Sequence, residues 1–135
     1  MAKIDAAKIW SLNYRVVSQV IVSVAPQLAA LGLETKDLFV LAAIDEHPHP
    51  AALAETLCMP KPTVTVYLKR LVAAQLVRRE IDAGDLRRHR LNLTPAGRKV
   101  MVKGLALLSE AFGARLSRLS GVEQTQLATL LEKLD

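Results

Sequence analysis

Two runs of the chain gather side chains suited to holding an anion. Asp85-Leu86-Arg87-Arg88-His89-Arg90 places three guanidinium groups within four residues of one another, behind a single carboxylate. Lys61-Pro62-Thr63-Val64-Thr65-Val66-Tyr67-Leu68-Lys69-Arg70 mixes cations with hydroxyls. A guanidinium offers a planar fork of donors that fits phosphate, lysine a mobile point charge, and threonine a short donor and acceptor. Between Lys61 and Lys103 stand eleven Lys and Arg against three acids, Glu80, Asp82 and Asp85. That surplus of eight exceeds the chain total of +5, so the rest of the chain carries a deficit of three. A basic middle between slightly acidic ends is the footprint expected for a polyanion partner. The competing reading is a solvated charged face, and the elements carrying the charges must decide.

Other chemistries find little support. No glycine-rich phosphate loop and no nucleophile–base grouping is present, so the chain is expected not to be an enzyme. His47 and His49, with Asp45 and Glu46 beside them, lie across two prolines and match no metal-ligand spacing. No metal or other cofactor is expected. Cys58 is the one cysteine. It cannot form an internal disulfide and is expected as a small buried apolar side chain. A redox role needs exposure and a cationic neighbour, and only Lys61 is close in sequence. Residues 16–33 carry no charge, but Ser18, Gln19, Ser23, Pro26 and Gln27 interrupt them. Their apolar members fall at one-face helical spacing, which predicts a buried helix and no membrane partner. Asp5 and Arg15 break the pattern of a signal peptide, so the expected location is the cytoplasm.

The chain length suits one domain, and its 51% hydrophobic, 4% aromatic composition favours helices. Periodicity predicts a long first helix from Ile4 to about Leu31, with Pro26 as a candidate bend and Gly32 as its stop. Thr35 is a fair cap for a second helix running to about Glu46. Pro50 opens a short third helix over Ala51–Leu57, and Cys58-Met59-Pro60-Lys61-Pro62 is a turn. A fourth helix runs from Lys61 or Pro62 to Ala74, with Val64, Leu68 and Leu71 inward. Residues 76–81 and 87–93 then read as strands around the turn Asp82-Ala83-Gly84-Asp85. An isolated hairpin is marginal, so this one must lean on helices through Leu76, Leu91 and Leu93. Thr94-Pro95 opens a long fifth helix, Ser120-Gly121 interrupts it, and a short amphipathic helix ends the chain. The expected fold class is mainly α with a small two- or three-stranded β wing. A short helix, a tight turn and a second helix with a basic outer face is the helix-turn-helix plan.

With these residues placed, the chain resembles the MarR family of bacterial transcription regulators. Three stretches carry the resemblance: Leu53-Ala54-Glu55-Thr56-Leu57; Pro62 to Leu71 followed by Leu76-Val77-Arg78-Arg79; and Asp85 to Arg98, which is similar to the family's wing leading into Leu-Thr-x-x-Gly. The match covers about Thr35 to Arg98. Val66 stands where the family often has Arg, Gln75 where it often has Gly, and Pro60 and Pro62 stiffen the helix entry. These departures bear on the target sequence and not on the docking mode.

The residues and the resemblance together lead to a sequence-specific binder of double-stranded DNA acting as a transcription regulator. Lys61, Pro62, Thr63, Thr65, Val66, Lys69 and Arg70 are expected on the recognition helix in the major groove. Val66 suits a thymine methyl. Lys69 and Arg70 suit phosphates or a guanine, and Arg70 has the alternative of a structural salt bridge. Arg87, Arg88 and Arg90 are expected on the wing, with Arg87 or Arg88 entering the minor groove. Asp85 is expected to brace one of these arginines, because its charge repels phosphate. Residues 1–34 and 99–135 are expected to form a homodimer, and residues 35–98 the DNA-binding lobe, so that two copies read a palindrome. The resemblance further implies a repressor released from DNA by a small-molecule effector or an oxidant. Trp10, Tyr14 and His47 are conceivable lining residues, but no ligand site is assigned. A winged helix used for protein–protein contact, with no DNA target, is the competing class.

Overall fold

The computed structural model describes residues 3–135, apart from the side chains of Asp82, Leu86, Arg87 and Arg88. Its elements are α1 (Ala6–Ala30), α2 (Thr35–Ala43), α3 (Pro50–Thr56), α4 (Lys61–Ala73), β1 (Val77–Asp82), β2 (Asp85–Leu93), α5 (Pro95–Leu116) and α6 (Gly121–Leu134). The chain divides into two compact units, Ala25–Ala106 and Met1–Val24 with Leu107–Asp135. Among the described residues no single helix is long and apolar enough to cross a membrane.

Three helices end in the same way. Leu33 N–H donates to the Leu28 carbonyl (3.0 Å) and Gly32 N–H to that of Ala29 (2.9 Å). Met59 and Cys58 repeat the pair on Ala54 (3.0 Å) and Glu55 (3.2 Å) at the end of α3. Leu76 and Gln75 repeat it on Leu71 (3.0 Å) and Val72 (3.0 Å) at the end of α4. This six-to-one and five-to-two pairing satisfies carbonyls left over at a helix end, and needs a left-handed residue at its centre. Gly32 supplies it with φ +79°, while Cys58 (φ 53°) and Gln75 (φ 62°) do so with a Cβ in place. The left-handed turn also places Cys58 on the surface, against the expectation that it is buried.

Several helix starts carry polar caps. Glu34, one residue before the expected Thr35, caps α2, and its N–H donates to Asp37 Oδ2 (2.7 Å). Thr94 Oγ1 accepts from Gly97 N–H (3.0 Å) and donates to the Gln75 carbonyl (2.7 Å), so one hydroxyl ties the start of α5 to the end of α4. Gly97 is required there: a Cβ would stand 1.9 Å from the Leu76 carbonyl oxygen. Ser120 and Glu123 form a reciprocal capping box at α6, with the Ser120 N–H on Glu123 Oε1 (2.9 Å) and the Glu123 N–H on Ser120 Oγ (3.2 Å).

The strands β1 and β2 form a two-stranded antiparallel sheet. Val77 pairs with Leu93, Arg79 with Leu91 and Ile81 with His89, and the register shifts at Ile81/Asp82 before the Ala83-Gly84 turn. The sheet's base leans on the protein through buried Val77 and Leu91, with Leu76 and Leu93 half-buried. The Leu91 N–H donates to the Pro48 carbonyl (2.7 Å), and the His49 ring donates from Nδ1 to the His89 carbonyl (3.0 Å). The link between α2 and α3 therefore pins the base of the hairpin. The core of the Ala25–Ala106 unit includes Leu28, Leu38, Leu41, Ile44, Leu53 and Leu68, each fully buried.

Candidate nucleic-acid interface

Helix α4 is built to show one edge and hide another. At 3.6 residues per turn, Val64, Leu68 and Leu71 fall together, and all three are buried. Pro62, Val66, Lys69 and Ala73 fall on the opposite side and are exposed. Val66 is 60% exposed, an apolar side chain on an otherwise polar edge. Lys61 and Thr65 are exposed on one flank, and Thr65 Oγ1 donates back to the Lys61 carbonyl (3.0 Å), leaving its lone pairs as acceptors. Thr63 is half-buried. Among the described residues Lys61 and Lys69 hold no ion pair.

The other flank of α4 is occupied. Arg70 Nη2 donates to Asp37 Oδ1 (2.8 Å) and Nη1 to Glu34 Oε1 (3.3 Å). Tyr67 Oη donates to Glu34 Oε2 (3.1 Å), and the Arg70 guanidinium carbon lies 4.9 Å from the centre of the Tyr67 ring. The geometry gives Arg70 its alternative reading, a structural bridge from α4 to the first turn of α2. Asp37 is only 3% exposed, so its carboxylate depends on these partners and on the Glu34 N–H for solvation. Hydrogen bonds to Asp37 and then to Glu34 raise the Arg70 pKa further above its usual value. The Arg70 guanidinium, and then the Tyr67 hydroxyl, hold the Glu34 carboxyl below its usual range. Burial, followed by the Glu34 bond, pushes the Tyr67 hydroxyl up.

The hairpin contributes the second basic group. Arg78, Arg79 and Arg90 are exposed, and Arg78 lies 3.9 Å from Glu80 in a loose surface pair. Arg90 sits opposite Glu80 in the register. Asp85 opens β2 opposite Asp82 and is half-buried. The minor-groove role expected of Arg87 or Arg88, and their bracing by Asp85, fall on side chains outside the described residues. Nearby, Arg98 grips Asp45 with two bonds (2.9 and 3.2 Å), which holds the Asp45 carboxyl below its usual range. His47 Nε2 lies 3.3 Å from Thr56 Oγ1. The histidines and Asp45 that the sequence sets side by side thus engage three separate partners.

A short helix, a tight turn, a second helix with one edge clear, and a basic hairpin after it define a winged helix-turn-helix protein. Residues 31–88 match the MarR family. Over 97 residues the chain is 35% identical to the transcriptional regulator HosA of Escherichia coli O127:H6, covering 70% of this chain and 72% of that protein. The chain belongs to the MarR family of transcriptional regulators. Among solved structures it is similar to the transcriptional regulator BldR from Sulfolobus solfataricus, with a TM-score of 0.85, 28% identity, and coverage of 99% of this chain and 97% of that one. It shares the fold of S. aureus MepR in a MepR–DNA complex, with a TM-score of 0.79, 21% identity, and coverage of 98% and 97%.

Proposed function

We propose that this protein is a homodimeric transcription regulator that binds double-stranded DNA in a sequence-dependent way. The observation that carries the reading is the clear edge of α4, where Pro62, Val66 and Lys69 stand exposed on a helix anchored along one flank by Arg70. A helix so held fits a major groove, where base edges carry a distinct code. Val66 is the apolar contact for a thymine methyl. Thr63 and Thr65 supply short polar contacts, and Lys61 and Lys69 neutralise phosphates. Arg87, Arg88 and Arg90 of the wing supply the second anchor, with Asp85 as brace.

Residues 1–34 and 99–135 act in dimerisation, and residues 35–98 as the DNA-binding lobe. The Met1–Val24 and Leu107–Asp135 unit supports this: Trp10 (64%), Tyr14 (62%) and Leu134 (84%) are all largely exposed in one chain. So much apolar surface asks for a partner. Two lobes related by a two-fold axis read a palindrome, with half-site centres roughly 34–36 Å apart. The solved MepR–DNA complex supports the same partner class for this fold. Family membership extends the reading to a cytoplasmic repressor that a small ligand releases from DNA.

The test is selection of bound duplexes from a random-sequence pool by the purified protein. The expected result is a two-fold symmetric consensus with half-sites about one helical turn apart. Recovery of a pool indistinguishable from the input overturns the reading.

A further inference from the structure

We infer that Arg70 is a positioning residue: with Asp37 it sets the roll of α4 about its axis, and through that roll the choice of DNA site, without itself holding a phosphate. The inference rests on the DNA-binding reading above. Three observations carry it.

The first is the bonding of the guanidinium. Its two terminal nitrogens point at Asp37 Oδ1 and Glu34 Oε1, and its face lies near the Tyr67 ring. Release of Arg70 to a phosphate would strand the nearly fully buried Asp37 carboxylate without its cation. The second is local charge. Glu34, Asp37 and Arg70 together carry a net −1, and Lys36 beside Glu34 brings this flank to neutral, so it offers a phosphate backbone no net attraction, whereas Lys61 on the other flank and Lys69 on the clear edge do. The third is geometry. Arg70 lies one position after Lys69, about 100° round the helix, and is tied to the capped first turn of α2. Fixing that angle fixes where Val66 and Pro62 point. A few degrees of roll move a side-chain tip by a good fraction of an ångström, enough to change a base contact and little enough to leave phosphate attraction intact.

The experiment measures fluorescence anisotropy of two labelled duplexes over a salt series. One duplex is recovered by wild-type selection from a random pool, and the other is its scrambled counterpart. The variants are Asp37→Asn, Arg70→Gln and Arg70→Lys, each held well below its melting temperature. Asp37→Asn removes a negative charge, so electrostatics alone would raise affinity for both duplexes. The positioning role predicts instead that the selected-to-scrambled ratio falls by about tenfold or more. Arg70→Gln is expected to lower the ratio similarly while its salt slope on the scrambled duplex stays within half a unit of wild type. Arg70→Lys keeps the charge and loses the fork, and is expected to lose discrimination as well. If Asp37→Asn does not fold, the two Arg70 variants, which alter a half-exposed side chain, decide the matter.

A slope reduced by about one unit in Arg70→Gln, the sign of a lost phosphate contact, overturns the inference. So does an unchanged ratio in Arg70→Lys. Lower melting temperatures with unchanged ratios also overturn it, because they mark a purely structural bridge. Failure of wild type to bind either duplex is a different result, which removes the DNA reading itself.

Discussion

Residues 25–106 close a core of their own, whereas residues 3–24 with 107–135 leave much of their apolar surface open. In the first unit Leu28, Leu38, Leu41, Ile44, Leu53, Leu68 and Leu91 are all nearly or fully buried. In the second, only Val20 and Val24 are buried among the hydrophobic side chains, and α6 buries no residue at all. Both units are rich in leucine, alanine and valine, so composition does not separate them. What separates them is whether one chain supplies both sides of the packing. The closed unit can present a rigid reading head. On the function proposed above, the open unit is where a second copy packs.

The largest expected effect lies in the closed unit. Leu68→Ala leaves a cavity behind α4 and is expected to cost about 2–5 kcal/mol in denaturant unfolding, with the same loss at every protein concentration. The contrasting substitution is in the open unit. Trp10 and Tyr14 lie with ring centroids 6.0 Å apart and are both exposed. Replacing both with alanine is expected to weaken self-association by about 2 kcal/mol or more, read as a shift toward monomer in sedimentation. The far-ultraviolet signal of the lobe should persist in that variant. If dimerisation is unchanged, these rings are not where the two copies meet.

A smaller effect has the opposite sign. Gln75 holds a left-handed conformation at the end of α4 that glycine adopts without penalty. Gln75→Gly is expected to gain about 1 kcal/mol, observed as a higher melting temperature. A loss would mean that the Gln75 side chain contributes more than its backbone strain costs.

The smallest effect concerns acid. Arg98 holds the Asp45 carboxyl below its usual value of 3.8, so the pair's contribution is present above that value. It is lost as pH falls through the lowered folded value. Both groups are about half exposed, so solvent screening keeps the contribution small. Arg98→Gln is expected to flatten the stability curve between about pH 5 and 3 and to leave its shape near pH 7 unchanged. An unaltered acid limb would assign the acid sensitivity to other carboxylates.

The sequence displayed what is periodic and local. The inward triad Val64, Leu68 and Leu71, the Thr94-Pro95 start of α5 and the alternation toward Leu91 and Leu93 are short-range patterns, and each marks its element. The bridge from Asp37 to Arg70 spans 33 residues, and that from Asp45 to Arg98 spans 53. No local spacing announces such pairs, because the fold alone brings them together. Cys58 shows a different failure. Its type suggests burial, but its place at the end of α3 demands a left-handed turn that carries the side chain outward. In the turns after α3 and α4, Cys58 and Gln75 hold the left-handed place that Gly32 holds after α1, so no glycine marks those helix ends in the sequence.

The proposed function requires the α4 edge and the wing to meet a phosphate-bearing duplex, and the salt dependence of binding measures that contact most directly. For the purified dimer and its selected duplex, log affinity is expected to fall linearly with log salt, with a slope of several units set by the phosphates neutralised. Arg87→Ala with Arg88→Ala should flatten that slope by about one unit per lost phosphate contact. A flat salt response of the wild-type protein, or no affinity for any duplex at low salt, would contradict the account.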